Sequence, residues 1–365
     1  MIPITKTKLP NIDRYNYYLK KAWDNGQVTN DGILVKELEQ KLCEYLDVKY
    51  LSLVSSGTIG IMLALKAAKQ GKSINQTDII TTPFTYVATT TAILWAGYTP
   101  KFVDINKKDF NLNINLVRKS VNNNTCAILP VHVYGNPVDV CTLEEIKNDY
   151  NLDIVYDASH CFGIKWKQTN NSIFNHGDYS VCSLHATKVF GAAEGGFVVS
   201  KDHESKQLID SLRAFGITKD KGLFYQDGLN AKMSELNAAF GLASLEIYEE
   251  NTKLRQQIYR TYKKYLPDGF LLHDIEPKGL THNYPYVPVQ VSDYLVNDII
   301  KYLEQHQIMA RRYFYPSLDK FYQFSFDKNE YPISNMAADK MVCLPIYPEL
   351  KIEEVQTICH YLKKF

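Results

Sequence analysis

The chain has no run of roughly 18 apolar residues, so no segment has the length of a membrane-spanning helix. An excess of one charge sign is missing as well: 41 Lys and Arg stand against 40 Asp and Glu, a formal net charge of +1. So balanced a chain projects no polyelectrolyte field, which speaks against nucleic acid or an anionic membrane as a bulk partner. The nine histidines show no HxH or HxxxH spacing, and no metal-ligand cluster can be read from them. No CxxC occurs among the seven cysteines (Cys43, Cys126, Cys141, Cys161, Cys182, Cys343 and Cys359). Most sit beside apolar residues, as reduced buried thiols do in a cytoplasmic protein. GxGxxG and GxxxxGK[ST] are both absent, so neither a dinucleotide nor a Walker-type phosphate loop is indicated. The first ten residues lack the apolar core of a signal peptide.

What remains is an ordinary globular composition, 45% hydrophobic and 22% charged, in 365 residues. Single cores stop growing at roughly 250–300 residues, so two domains are expected, 1–250 and 251–365. Periodicity places helices over 12–24 and 34–46, the second striped by Leu34, Leu38, Leu42 and Leu46. Strands are expected at 50–54, 78–82, 101–105, 127–131, 153–157, up to 183, and at 197–200. Helices at 59–69, 87–96, 113–121, 142–149 and 203–214 alternate with them. That alternation predicts an α/β fold with a mostly parallel sheet. Asn230 reads as the N-cap of a helix over 231–251. Residues 249–260 read as an exposed helix joining the domains. The remainder, with strand-like 283–291 and helices at 293–306 and 352–363, reads as a smaller α/β domain.

In such a sheet ligands gather beyond the carboxyl ends of the strands. Ser56–Thr58, Thr85–Tyr86, His132–Asn136, Asp157–His160 and Ser183–Lys188 all fall at such ends. Lys188 leaves one strand close to the glycine turn, Glu194 to Gly196, that opens the next, which makes it a usable amine nucleophile. A lysine that condenses with the aldehyde of pyridoxal phosphate needs a carboxylate at the far edge of the cofactor ring, and Asp157 is the candidate. Gly57, Thr58 and Ser183 offer amides and hydroxyls for the phosphate, and Tyr86 a face for the ring. Each residue alone has a plainer reading: Lys188 as a surface lysine, Asp157 as a turn cap, Tyr86 and His160 as core packing. Arg312 with the Tyr-Phe-Tyr after it either grips a nucleotide phosphate or packs the small domain.

The markers Ser55-Ser-Gly-Thr58, Pro83-Phe-Thr-Tyr86, His132 with Tyr134-Gly135, Asp157-Ala-Ser-His160, Ser183-Leu-His-Ala-Thr-Lys188, Glu194-Gly-Gly196, Arg213-Ala-Phe-Gly216, Gly228-Leu-Asn230 and Met233-Ser-Glu235 occur in one order. In that order the chain resembles the DegT/DnrJ/StrS family of nucleotide-sugar aminotransferases, over nearly its whole length. The resemblance implies an aspartate-aminotransferase-like (fold type I) large domain and a homodimer with a shared active site. It makes Lys188 the cofactor's anchor and proton shuttle, Asp157 the partner of the pyridinium nitrogen, and Tyr86 the ring's stacking partner. His160 would stand at the phenolic edge of the ring. Gly57, Thr58 and Ser183 would bind the phosphate, joined by Asn230 from the neighbouring subunit. It further implies L-glutamate as amino donor and a nucleotide-linked keto-6-deoxyhexose as acceptor. The Ser-Ser-Gly-Thr turn resembles the branch that aminates carbon 4. This points to dTDP-4-keto-6-deoxyglucose giving dTDP-4-amino-4,6-dideoxyglucose for surface polysaccharide such as O-antigen. A UDP-linked 4-keto sugar, a dTDP-3-keto sugar, or a dehydratase reaction is the alternative. Family dehydratases carry histidine in place of the lysine, so Lys188 favours transamination. The pattern is departed from at His160, commonly Gln, at Lys232, commonly Arg, and at Ile59-Gly60, commonly Ala-Ala.

Overall fold

The computed structural model describes every residue except 219–221, 223, 277–278, 292–295, 322–323 and 325–329. Helices α1 (Ile12–Asp24) and α2 (Ile33–Leu46) precede a seven-stranded sheet. Its strands are β1 (Leu51–Val54), β2 (Asp78–Thr81), β3 (Thr99–Phe102), β4 (Thr125–Ile128), β5 (Asp153–Asp157), β6 (Tyr179–Ser183) and β7 (Gly196–Ser200). Helices α3 (Gly57–Ala68), α4 (Val87–Trp95), α5 (Ile114–Ser120) and α6 (Val140–Tyr150) lie between them in the chain, and α7 (His203–Leu212) follows. The strand order is β1-β7-β6-β5-β4-β2-β3. Neighbours from β6 to β3 pair in parallel, and β7 runs antiparallel to both β1 and β6. The expected mostly parallel α/β sheet is therefore present. β1, β2 and β4 are buried at every position, as strands covered on both faces must be.

The leucine stripe of α2 is completely inaccessible to solvent at Leu34, Leu38, Leu42 and Leu46. Burial of each contributes about 1.5–3 kcal/mol. The stripe packs on α8 (Glu235–Leu245), where Gly241 lets Leu38 approach so closely that a Cβ would stand 2.8 Å from its Cδ2. Two of the motifs quoted above have structural work here. Ser234 caps α8 by accepting from the Asn237 amide, while the buried Glu235 carboxylate accepts from the Leu34 and Val35 amides at 2.7 and 3.1 Å. Buried Arg213 donates to Glu39 at 2.9 Å and to the Leu53 carbonyl, and lies 3.0 Å from Asp210. It thereby ties the end of α7 to β1 and α2.

After α9 (Tyr248–Tyr265) come β8 (Phe270–Leu272), β9 (Val287–Val291), α10 (Val296–Gln305), α11 (Pro332–Lys340), β10 (Met341–Leu344) and α12 (Ile352–Lys364). The strands form an antiparallel sheet in the order β10-β9-β8. Its core includes Val287, Val289, Val291, Val355, Ile358 and Leu362. The first residues of the chain join this part: the Ile2 amide donates to the Gln307 carbonyl at 2.7 Å and the Ile346 amide to the Ile4 carbonyl at 3.1 Å.

Three expectations need correction. The helix expected over 231–251 is two helices, α8 and α9, separated at Glu246 and Ile247. Asn230 caps neither. The chain is extended there, with the Leu229 amide donating to Leu212 and the Ala231 amide to Arg213, so Ser234 is the first cap available. Nor is the helix through 249–260 an exposed link. α9 buries Tyr248, Asn251, Arg255, Ile258, Tyr259 and Tyr262, an amphipathic stripe concealed in the sequence by charged residues on the other face. The strand expected over 283–291 starts at Val287, which leaves 283–286 free as a loop. Of the helix expected over 293–306, residues 293–295 lie outside the described residues.

Candidate active site

β1 feeds directly into α3 through Ser55 and Ser56. The Ser56 hydroxyl accepts from the Ile59 amide at 3.2 Å and its carbonyl from the Gly60 amide at 3.0 Å. The Gly57 and Thr58 amides are thereby left at the open end of a 12-residue helix, where the backbone dipole favours an anion. Only glycine fits at 57. A Cβ would lie 2.8 Å from Ser183 Cβ and 2.9 Å from Ser183 Cα, so the helix start is seated against the end of β6.

Asp157 ends β5, and its side chain is held from both sides. Thr89 Oγ1 on α4 donates to Oδ2 at 2.7 Å, and the Ser159 hydroxyl and amide donate to Oδ1 at 2.6 and 3.2 Å. Lys188 stands in the connection from β6 to β7. That connection is pinned by the Ala186 amide on the Ala193 carbonyl, the Ala192 amide on the Leu184 carbonyl, each at 2.8 Å, and the Lys188 amide on His185 at 2.9 Å. Burial lowers the pKa of the Lys188 amine, and the negative charge of Asp157 opposes that shift. The amine therefore loses its proton more readily than an exposed lysine does, while staying close to a carboxylate.

His160 is 6% exposed. Its Nε2 is 3.2 Å from the Tyr286 hydroxyl, and its ring lies within 10° of parallel to Phe314. Burial, reinforced by the charge of Lys188, pushes its pKa well below the usual histidine range, so the ring is neutral.

These groups face one cavity of about 340 Å³, within the size range of small-molecule sites. Gly57, Thr58, Tyr86, Asp157, His160, Ser183 and Lys188 all line it. Tyr86 is 54% exposed, which excludes the core-packing reading for that side chain. Asn230 is not among the lining residues. It is exposed, and its Oδ1 accepts from Lys232 Nζ at 2.7 Å. The His132–Asn136 strand end is also absent from the cavity: those residues are buried, with His132 stacked on Tyr156 and Tyr134 against Phe314. Arg312 packs the last third of the chain, donating to Asn297 Oδ1 at 3.0 Å and the Ala338 carbonyl at 2.9 Å, while its neighbour Arg311 lines the cavity instead.

Thr89, Tyr286 and Arg311 are lining residues that sequence reasoning did not single out, while Ser159 and Phe314 fall inside stretches it did. Thr85 and Thr89, four apart at the start of a helix, were a legible pair; their hydroxyls lie 2.9 Å apart. Tyr286 and Arg311 gave no local signal, because only the folding of the last third against the large sheet brings them in.

The residues fit pyridoxal phosphate. A glycine-floored helix terminus suits the phosphate, an amine of lowered pKa the aldehyde, and a pinned carboxylate the ring nitrogen. Among curated proteins the chain is similar to dTDP-4-amino-4,6-dideoxy-D-glucose transaminase of Shigella dysenteriae, at 36% identity over 99% of this chain and 98% of that one. Among solved structures it is similar to DesI, determined in the presence of its TDP-sugar product, with a TM-score of 0.93, 27% identity, and coverage of 100% and 92% of the two chains. It is also similar to a putative PLP-dependent aminotransferase from Bacillus cereus, with a TM-score of 0.91, 25% identity and 99% coverage of both chains. The profile of one family matches residues 12–363, nearly the full length. By that match, by the fold, and by the lysine, aspartate and helix terminus that share one cavity, the chain belongs to the DegT/DnrJ/EryC1/StrS aminotransferase family, enzymes that depend on pyridoxal phosphate.

Proposed function

We propose that this sugar aminotransferase moves an amino group from L-glutamate to carbon 4 of dTDP-4-keto-6-deoxyglucose, giving dTDP-4-amino-4,6-dideoxyglucose. The observation that carries this reading is the 36% identity, across 99% of the chain, with a transaminase named for that product. The site supports the chemistry. Lys188 is the only lysine lining the cavity among the described residues, and its depressed pKa suits an amine that must attack a carbonyl and then carry a proton.

When bound, pyridoxal phosphate supplies the aldehyde and the electron sink for transamination. The chain's residues do the rest. Lys188 Nζ would anchor the cofactor and move the proton at the substrate carbon. Asp157, its oxygens held by Thr89 and Ser159, would face the ring nitrogen and favour positive charge there. Gly57 and Thr58 amides with the Ser183 hydroxyl would hold the phosphate. Tyr86 would cover one face of the ring, and neutral His160 would meet its oxygen edge. Residues 1–250 form the domain that binds the cofactor, and 251–365 the smaller domain over it. Asn230 is exposed and already oriented by Lys232, which suits a phosphate ligand presented to the neighbouring site of a homodimer. The setting is the cytoplasm, upstream of surface polysaccharide assembly; among the described residues no helix is long and apolar enough to cross a membrane.

Incubation with L-glutamate and a panel of dTDP- and UDP-linked 4-keto and 3-keto sugars, followed by NMR of the products, tests the reading. Turnover of dTDP-4-keto-6-deoxyglucose to the equatorial 4-amino sugar is expected. Amination at carbon 3, or preference for the UDP sugars, refutes the substrate; a Lys188→Ala enzyme that still turns over refutes the role of the lysine.

A further inference from the structure

The partners of Asp157 leave its two oxygens unequal. A carboxylate offers about four lone-pair sites, two on each oxygen. Oδ1 accepts twice, from the Ser159 hydroxyl at 2.6 Å and the Ser159 amide at 3.2 Å, and is filled. Oδ2 accepts once, from the Thr89 hydroxyl at 2.7 Å. Asp157 is buried yet lines the cavity, so the acceptor capacity left to a ligand there is on Oδ2, the oxygen that Thr89 holds.

Thr89 does not act alone. Its hydroxyl stands 2.9 Å from that of Thr85, and by itself this pair leaves open which of the two donates. The carboxylate decides. Its oxygen has no proton to give, so Thr89 directs its only hydroxyl proton to Asp157, and the proton between the two threonines comes from Thr85. The bonds therefore run one way, from Thr85 to Thr89 to Asp157. Both threonines are buried, and both line the cavity. Donation along such a chain polarises the next donor and strengthens each bond by about 10–30%. The two residues straddle the start of α4, where Tyr86 is the N-cap and its carbonyl accepts from the Thr89 amide at 3.1 Å. One helical turn thus fixes both the donor to Asp157 and the aromatic residue exposed at the cavity.

We infer that Thr85 is a positioning residue for the cofactor: through Thr89 it holds Oδ2 of Asp157 as the acceptor for the ring nitrogen. It touches no reacting atom and acts only through the hydroxyl of its neighbour. The inference rests on the reading of Asp157 as the partner of that nitrogen, and it adds which oxygen serves and which residue aims it. A threonine pair that only packed the start of α4 would affect stability, and would be indifferent to what occupies the ring-nitrogen position.

That difference is the test. The full-length apo protein is titrated calorimetrically with pyridoxal phosphate and with its carbocyclic analogue, in which C–H replaces the ring nitrogen. The ratio of the two affinities reads the contact at that one position, because the phosphate and the aldehyde are common to both. The wild type should prefer pyridoxal phosphate. Thr85→Val, which keeps the shape and removes the hydroxyl, should shrink that preference roughly two- to three-fold, and Thr85→Ser should restore it. Thr89→Val should shrink it about ten-fold, and adding Thr85→Val to that variant should change it no further, since the chain is already cut. A wild type with no preference refutes the role of Asp157 itself. A wild-type preference that Thr85→Val leaves intact overturns the inference alone, whatever happens to the melting temperature. An equal loss from Thr85→Val in the wild-type and Thr89→Val backgrounds also overturns it, because Thr85 would then act by another route. Thr85→Ala carries the same expectation where Thr85→Val does not fold.

Discussion

Substituting Gly57 by alanine probes the phosphate cradle with a single methyl group. The added carbon would meet Ser183 Cβ at 2.8 Å and Ser183 Cα at 2.9 Å, where carbon atoms prefer about 3.5–4.0 Å. One of the two atoms is backbone inside a sheet, so α3 must yield, by roughly 0.7 Å or more on that contact distance. Overpacking of this kind costs about 1–3 kcal/mol, and the better helix propensity of alanine offsets up to about 1 kcal/mol of it. The net loss of stability is therefore small. The effect on the cofactor is larger, because the same movement carries the Gly57 and Thr58 amides off their anion. Hydrogen bonds to a charged group contribute about 1.5–3 kcal/mol each, and weakening two of them by a third to a half predicts roughly thirty-fold poorer affinity for pyridoxal phosphate. Titration of the apo protein with cofactor, followed by absorbance, measures this directly. Gly60→Ala is the control: its Cβ would crowd Val181 Cγ1 at the same 2.8 Å, yet Gly60 N–H is already committed to Ser56. It should lower stability and leave cofactor affinity within about twofold. If Gly57→Ala binds the cofactor as tightly as Gly60→Ala does, the helix terminus is not the phosphate site.

Three more outcomes follow from the site. In the apo protein the folded-state pKa of Lys188 lies below its unfolded value of 10.5, so between the two the unfolded chain holds more protons and stability rises with pH; urea unfolding of Lys188→Met should lack that rise. His160 has its folded pKa well below 6.5, so stability falls as pH drops through 6.5 because the unfolded chain takes a proton that the native ring refuses. His160→Gln should flatten the acid side of the urea profile by about 1.4 kcal/mol per pH unit, and an unchanged slope would contradict a buried neutral ring. Thr89→Val removes the donor to Asp157 Oδ2 and should cost about 1–3 kcal/mol of stability, with Thr89→Ser recovering most of it in thermal melts.

Much of the site was legible because its parts are local. A strand running into Ser-Gly-Thr and a helix, an aspartate ending a strand, and a lysine beside a glycine turn each depend on neighbours a few residues away. Their convergence follows from a parallel sheet, which puts the carboxyl ends of its strands on one edge. Elements of the last third were read less well. The buried stripe of α9 was hidden by charges on its outer face, and the helix expected from 231 was broken by an extended pairing with 212–215 that no local pattern announces. Arg311 and Arg312 are adjacent and chemically alike. One lines the cavity and the other ties Asn297 to Ala338, a choice made by which side of a single chain segment faces β10.

Period and motif were enough to establish the alternating α/β order, the anion-seeking start of α3, and the chemical identity of Lys188 and Asp157, since these rest on interactions within one element or between neighbours in the chain. Tertiary structure alone decided which side chains surround them. Thr89 comes to Asp157 from 68 residues away, Tyr286 to His160 from 126, and Ile4 to the same cavity from the far end of the chain. Only the fold, too, could bury Arg255 with no carboxylate within ion-pair distance among the described residues, because burial and spacing are properties of the packed molecule. Contacts over such separations depend on how whole layers pack, and packing is set by the sum of many apolar surfaces rather than by any short pattern.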